Sequence, residues 1–205
     1  MYRYVPKKKV DFYRRKCSPL LIALRDKLKE ELGPAEITLV GSGGSGLVVI
    51  DGNGPFDLDY NLCFIQLPDE WRTHPGQLKS HIRLILDALL PEGYSYGKES
   101  TSVLTYLVHK DGAVIFHLDL GILMKNSQGW SRLIHDKIHD VYSWNLIRNT
   151  EKLSIKIDRI HRAKKWNDLR SLYLEKKNQA LCEGKRRSSF ETYAEAINDL
   201  YNRLP

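Results

Sequence analysis

The 205-residue chain is 42% hydrophobic and 28% charged, ordinary globular values that exclude a disordered or membrane-embedded class. Lys and Arg number 32 against 25 Asp and Glu, an excess of 32 − 25 = 7 that favours polyanions such as NTP or nucleic acid over cationic partners. Three cysteines, Cys17, Cys63 and Cys182, are odd in number and far apart, which argues for reduced thiols and against a disulfide framework or a Cys-x-x-Cys metal site.

The start, Met1-Tyr-Arg-Tyr-Val-Pro-Lys-Lys-Lys, lacks the apolar core of a signal peptide, and no apolar stretch is long enough to span a bilayer. A cytoplasmic protein with no membrane partner is expected. The positive charge collects at the two ends, in Arg3, Lys7 to Lys9 and Arg14 to Lys16, then in Lys152 to Lys185 with Arg186 and Arg187. Such runs suit a phosphate polymer or simply a solvated basic surface.

In chain order, Pro19 opens a helix through Leu32, whose apolar residues recur at helical spacing until Gly33-Pro34 ends it. Ile37 to Val40 reads as the first strand. Gly41-Ser-Gly-Gly-Ser-Gly46 is too glycine-rich for a regular element and lets backbone N–H groups approach a ligand closely. The turn cluster Asp51 to Pro55 delivers Phe56 into a strand that continues to Ile65. Pro75 to Leu90 is an amphipathic helix, Tyr94 to Lys98 and Ser102 to His109 alternate like strands, and Lys110-Asp-Gly112 is a hairpin signal into the apolar strand Ala113 to Met124. The fold class is therefore α+β, a mixed β-sheet with helices behind it. From Ser131 the pattern reads as helical, which sets residues 1–125 as the core and 126–205 as a helical C-terminal region packed on it.

The chemistry concentrates at Asp57-Leu58-Asp59. A strand points residues i and i+2 the same way, so the two carboxylates share a face while Leu58 and Tyr60 point into the layer behind. Divalent cations relieve the repulsion between such acids, and hard oxygen ligands suit Mg²⁺. Asp119 sits alone in the second apolar strand, where a buried acid needs a partner. His117, two residues earlier, shares its face and could meet a phosphate, an acceptor or a neighbouring strand. His135 and His139, four apart, could hold one metal on a helix, yet no third ligand completes the set. Tyr94, Tyr96 and Tyr106 suit either base stacking or the core.

The order of a strand, Gly41-Ser42, Asp57-x-Asp59 and a lone Asp119 on a later strand resembles the nucleotidyltransferase superfamily typified by DNA polymerase beta, over roughly residues 35 to 125. Fourteen residues separate Ser42 from Asp57; Gly44-Ser45 gives a more usual gap but lacks a preceding strand. The resemblance implies a metal-dependent transfer of NMP from an NTP such as ATP to a hydroxyl acceptor, with pyrophosphate released. It implies two Mg²⁺ ions, replaceable by Mn²⁺, with Asp57 and Asp59 bridging both and Asp119 holding the ion beside the acceptor hydroxyl. It also implies triphosphate contacts at Gly41, Ser42 and Ser45.

Lys164-Lys-Trp166 and Ser171-Leu-Tyr-Leu-Glu175 resemble two helical motifs of the oligoadenylate and cyclic-dinucleotide synthetase branch, closer together here than there. This second resemblance implies that Lys164 and Ser171 contact the triphosphate tail; an amphipathic helix with solvated lysines is the alternative. The acceptor class stays open between RNA, nucleotide or protein. A second-messenger synthase, an antibiotic nucleotidyltransferase and a catalytically silent NTP- or RNA-binding module are the rivals.

Overall fold

The computed structural model describes residues 1–98, 100–147, 151–185 and 187–204; Arg186 of the basic C-terminal run lies outside them. The elements in chain order are β1 (Tyr2–Tyr4), α1 (Lys7–Leu32), β2 (Ala35–Val40), α2 (Gly41–Ser45), β3 (Val49–Asp51), β4 (Phe56–Phe64), α3 (Asp69–Thr73), α4 (Pro75–Leu89), β5 (Tyr94–Tyr96), β6 (Val103–Lys110), β7 (Ala113–Asn126), β8 (Gly129–Asp136), β9 (Val141–Leu146), α5 (Glu151–Arg162), α6 (Trp166–Cys182) and α7 (Ser189–Tyr201). They fall into two units. One holds residues 6–48 and 54–147; the other holds residues 1–5, 49–53 and 148–205.

The larger unit is built on a mixed sheet in the order β2-β4-β7-β6-β5, to which β8 adds beside β7 and β9 beside β8. Among the described residues only the β4–β7 pair is parallel; the other pairs in this sheet are antiparallel. Alternation sorts the two faces. Leu58, Leu62 and Phe64 of β4, Phe116, Leu118 and Leu120 of β7, and Leu104 and Tyr106 of β6 are fully buried. They meet α1 and α4: Tyr13 stacks on Phe116 at 5.0 Å, and Tyr106 donates its hydroxyl proton to Asp87 of α4 at 2.8 Å. Tyr106 is thus a core residue. Each of these large apolar side chains contributes about 1.5–3 kcal/mol by leaving water, so the register of the sheet is firmly set, and a slip of one residue would exchange the faces. The hairpin between β6 and β7 turns on Asp111 (φ 52°) and Gly112 (φ 77°), the left-handed pair that the sequence signal demanded.

Several elements differ from the sequence expectation. Helix α1 starts at Lys7 and carries Pro19 inside it. A proline there costs about 3 kcal/mol, but Tyr13, Cys17, Leu20, Leu24, Leu28 and Leu32 keep one buried stripe in phase across it. The Gly41–Ser45 stretch, expected to be irregular, winds into a single helical turn that ends at left-handed Gly46.

Residues 129–136 and 141–146 are strands joined by a turn, not helix. In β8, Ser131, Leu133 and His135 are buried on alternate positions. The hairpin is anchored where Trp144 Nε1 donates to the Arg72 carbonyl at 2.9 Å. His135 and His139 therefore do not share a helix face. His135 stacks on Tyr142 at 4.0 Å and bonds Asp140, while His139 bonds Asp136 at 2.7 Å.

The smaller unit packs α5, α6 and α7 around Ile160, Leu169, Tyr173, Ala196, Ile197 and Leu200. Lys176 of α6 joins Glu195 at 2.9 Å and Asp199 at 2.7 Å on α7, and Ser188 with Glu191 forms a capping box. Strand β1 pairs with β3, and Asn178 of α6 bonds both the N–H and the C=O of Tyr2. The helix expected to run through Ala163 to Trp166 is broken: Lys164 has φ 57°, α5 stops at Arg162 and α6 begins at Trp166.

Candidate active site

The face of the sheet opposite α1 and α4 carries the acids. Parallel pairing sets Asp57 beside His117, Asp59 beside Asp119 and Asn61 beside Gly121. On the outer side of β4, Val40 of β2 faces Asp59, and on the outer side of β7, Thr105 of β6 faces Asp119. The three carboxylates expected from the sequence are thereby brought to one place, on two adjacent central strands.

Turn α2 closes over this place. Gly41 has φ 59°, and a Cβ built there would lie 2.7 Å from Asp59 Oδ2, so only glycine lets the chain pass so near the carboxylate. A Cβ at Gly43 would meet the Leu39 side chain at 2.9 Å and that of Leu58 at 3.0 Å, and one at Gly44 would meet the Leu39 carbonyl oxygen at 2.9 Å. Ser45 Oγ donates to the Gly41 carbonyl at 2.9 Å, and the Ser42 carbonyl accepts from Leu47 at 2.8 Å. Ser45 thus braces the turn. No described side chain caps the start of α2, which leaves its first N–H groups without a side-chain acceptor. Gly41, Ser42 and Ser45 share the unit of the three acids; Lys164 and Ser171, both exposed, belong to the helical unit.

The electrostatics are those of acids forced together. Burial above all, then the charges of Asp119 and Asp57, push Asp59 up to about 6, while Arg132 opposes the shift. Burial also raises Asp119, against a hydrogen bond from the Thr105 hydroxyl. Oδ1 of Asp119 is buried with no hydrogen-bond partner among the described residues. Asp57 accepts from His117 Nδ1 at 2.7 Å, and that bond holds His117 above its ordinary pKa.

Arg132 of β8, whose pKa burial lowers, donates to Asn61 Oδ1 at 3.1 Å. Gly121 makes room for this reach, since a Cβ there would stand 2.9 Å from Asn61 Oδ1. Sequence reasoning missed Arg132 because its segment read as helix; Asn61, two residues beyond Asp59, was legible by strand alternation.

Among the described residues no three His, Cys, Asp or Glu side chains converge as they stand into a set that could hold an ion. The donor chemistry nevertheless fits a hard divalent cation. Three carboxylates supply oxygen ligands, one oxygen is buried without a partner among the described residues, and a cation would offset the burial and the mutual repulsion that together raise Asp59. Asp57, Asp59 and Asp119 are the residues that would hold it.

A mixed sheet with two acids on one strand, a third on its parallel neighbour and a glycine turn against them is the arrangement that the sequence resemblance to nucleotidyltransferases implied. Solved structures with this fold include the cyclic dinucleotide synthase CdnE of Elizabethkingia meningoseptica with GTP and Apcpp, at 13% identity and a TM-score of 0.55 over 94% of this chain and 70% of that one. The cyclic AMP-GMP synthase DncV of Vibrio cholerae, with the linear intermediate pppA(3′,5′)pG, matches at 10% identity and a TM-score of 0.64 over 98% of this chain and 69% of that one. Escherichia coli DncV in its 3′-deoxy GTP bound form matches at 14% identity and a TM-score of 0.61, over 99% of this chain and 55% of that one. The chain therefore spans between 55% and 70% of the length of these three structures. No protein-family model and no curated protein matches the sequence. Among the described residues no helix is long and apolar enough to cross a membrane.

Proposed function

We propose that the protein is a nucleotidyltransferase that moves an NMP from an NTP to a hydroxyl acceptor and releases pyrophosphate. The observation that carries this reading is the pairing of Asp59 with Asp119 across β4 and β7, with Asp57 on the same face and Gly41 against Asp59. The acceptor hydroxyl attacks the α-phosphorus in line with the departing pyrophosphate. Bound at Asp57, Asp59 and Asp119, Mg²⁺ or Mn²⁺ supplies charge neutralisation for the triphosphate and a lowered pKa for the acceptor hydroxyl.

The chain's own residues do the rest. N–H groups at Gly41 and Ser42 donate to phosphate oxygens, and Ser45 holds that turn in shape. Arg132 favours the ionised form of Asp59, and Thr105 orients Asp119. Contacts from Lys164 and Ser171 to the triphosphate tail are proposed on the sequence resemblance alone.

The acceptor that the fold likeness favours is a second nucleotide, which makes the product a small nucleotide messenger. RNA is the second reading, favoured by the basic first half of α1. The test is to incubate the full chain with each labelled NTP and Mg²⁺, with and without total RNA. A new nucleotide product without RNA supports the messenger reading, and label on RNA supports the other. Pyrophosphate release from no NTP under either condition overturns the enzyme reading.

A further inference from the structure

Resting on the nucleotidyltransferase reading, we propose that His117 is a positioning residue for Asp57: its Nδ1–H holds Oδ1 of that carboxylate and leaves Oδ2 for a divalent cation. Asp57 needs such a restraint more than its neighbours do. It lies at the second position of β4 with its side chain 55% exposed, while Asp59 is more deeply placed. An exposed carboxylate next to another acid turns outward, toward water, unless something retains it.

The register supplies the retainer. His117 stands directly opposite Asp57 in a parallel ladder, so ring and carboxylate leave the sheet side by side. On the other side the register sets Leu107 of β6, an apolar residue, opposite His117. An ionised carboxylate only accepts, so at 2.7 Å the imidazole Nδ1 must donate. Bonds of this charge-assisted kind fix direction as well as distance.

The other two acids follow the same plan. Each is attended by one side chain from a strand beyond it: Asp119 by the Thr105 hydroxyl of β6, and Asp59 by the charge of Arg132 on β8. His117 completes the set. Partners of this kind, one step outside the ligands, orient metal-binding groups, and their loss commonly weakens metal affinity by roughly 10–100-fold.

The experiment measures Mn²⁺ affinity of the full chain without nucleotide, by titration calorimetry and by the paramagnetic resonance of free Mn²⁺. Asp59→Asn, His117→Ala, His117→Asn and His117→Gln are compared with the native chain, with circular dichroism as a check on folding. An asparagine amide reaches the place of Nδ1, whereas a glutamine amide reaches that of Nε2. The expected result is loss of binding in Asp59→Asn, about a tenfold or greater loss in His117→Ala, and recovery in His117→Asn but not His117→Gln. Native affinity in His117→Ala, with binding lost in Asp59→Asn, overturns the role of His117 and leaves the nucleotidyltransferase reading standing. Equal weakness of His117→Asn and His117→Ala overturns it as well. Equal Mn²⁺ binding by the native chain and Asp59→Asn removes the carboxylate metal site, and the proposal with it. Should His117→Ala unfold, the contrast between the Asn and Gln variants decides.

Discussion

Asp59 and Asp119 stand directly opposite each other in the parallel β4–β7 ladder, each under a neighbouring element: the Gly41 turn over the first and Thr105 beside the second. Two half-buried acids at one rung of a sheet destabilise the fold unless cations share them. Burial, then Asp119, then Asp57, lift Asp59 from 3.8 to about 6.

An unfolded chain ionises Asp59 near the ordinary value, while the folded chain keeps its proton until about pH 6, so stability falls as pH rises between these values and stays lowered above. At about 1.4 kcal/mol per pKa unit, the loss is roughly 2–3 kcal/mol. Asp59→Asn removes the charge and nearly keeps the shape. In the absence of divalent cations it should match the native chain in denaturant midpoint at pH 4 and exceed it at pH 8, while abolishing transfer. Equal midpoints at both pH values would refute the electrostatic account, and unchanged turnover would refute the catalytic one.

A second expectation separates strain from site disruption. Gly41 and Gly46 both have φ near +60° to +70°, but a Cβ at Gly41 meets Asp59 Oδ2 at 2.7 Å and one at Gly46 meets nothing within 4 Å. Both alanine variants lose about 1–2 kcal/mol to the left-handed backbone. Only Gly41→Ala should also displace the carboxylate, so it should lose nearly all transfer while Gly46→Ala keeps it. Parallel losses of activity in the two variants would show that the turn, not the approach to Asp59, governs turnover.

The legible parts of the sequence were those where one local rule dominated. Asp57 and Asp59 on one face follow from the period of a strand, and Asp111-Gly112 announces its own turn. Residues 129–146 were not legible, because their alternating burial is short and the partner strand that rewards it lies in β7. Pro19 is a local stop signal overruled by a buried stripe on both sides of it. Lys164 shows the reverse case, a helical pattern interrupted by one left-handed residue that composition does not mark. Arg132 was hidden for the same reason as its strand.

Arg132 itself supports a third expectation. Its charge opposes the upward shift of Asp59, and the proposed transfer would need Asp59 ionised to hold a cation. Replacing it, as in Arg132→Gln, leaves that acid with a still higher pKa. Activity should then be lost at a higher pH as pH falls, moving the acid limb of the kcat profile upward. An acid limb in the same place as that of the native chain would show that Arg132 acts on something other than Asp59.

The last expectation concerns the basic first half of α1. Lys7, Lys8 and Lys9 occupy the first turn of the helix, and that turn contains no acid. Positive charge is misplaced there, since each cation at a helix N-terminus opposes the macrodipole by about 0.3–1 kcal/mol. All three lysines are exposed. Lys9 gains a little from lying 5.4 Å from the centre of the Phe56 ring, which offsets part of its own cost. Arg14, Arg15 and Lys16 extend the same charge, with exposed Phe12 between the two clusters and Lys16 over its ring at 5.0 Å. A row of cations with an interleaved aromatic suits a single-stranded phosphate polymer. Converting Lys7, Lys8 and Lys9 to Gln should leave thermal stability equal or higher and NTP affinity unchanged. RNA affinity should fall and depend less steeply on salt, because fewer phosphate contacts release fewer counterions. The measurement is an RNA titration at several salt concentrations beside an NTP titration. A native salt slope in the triple variant would mark the cluster as a solvated end with no polymer partner, whereas a parallel fall in NTP affinity would place these lysines at the triphosphate instead.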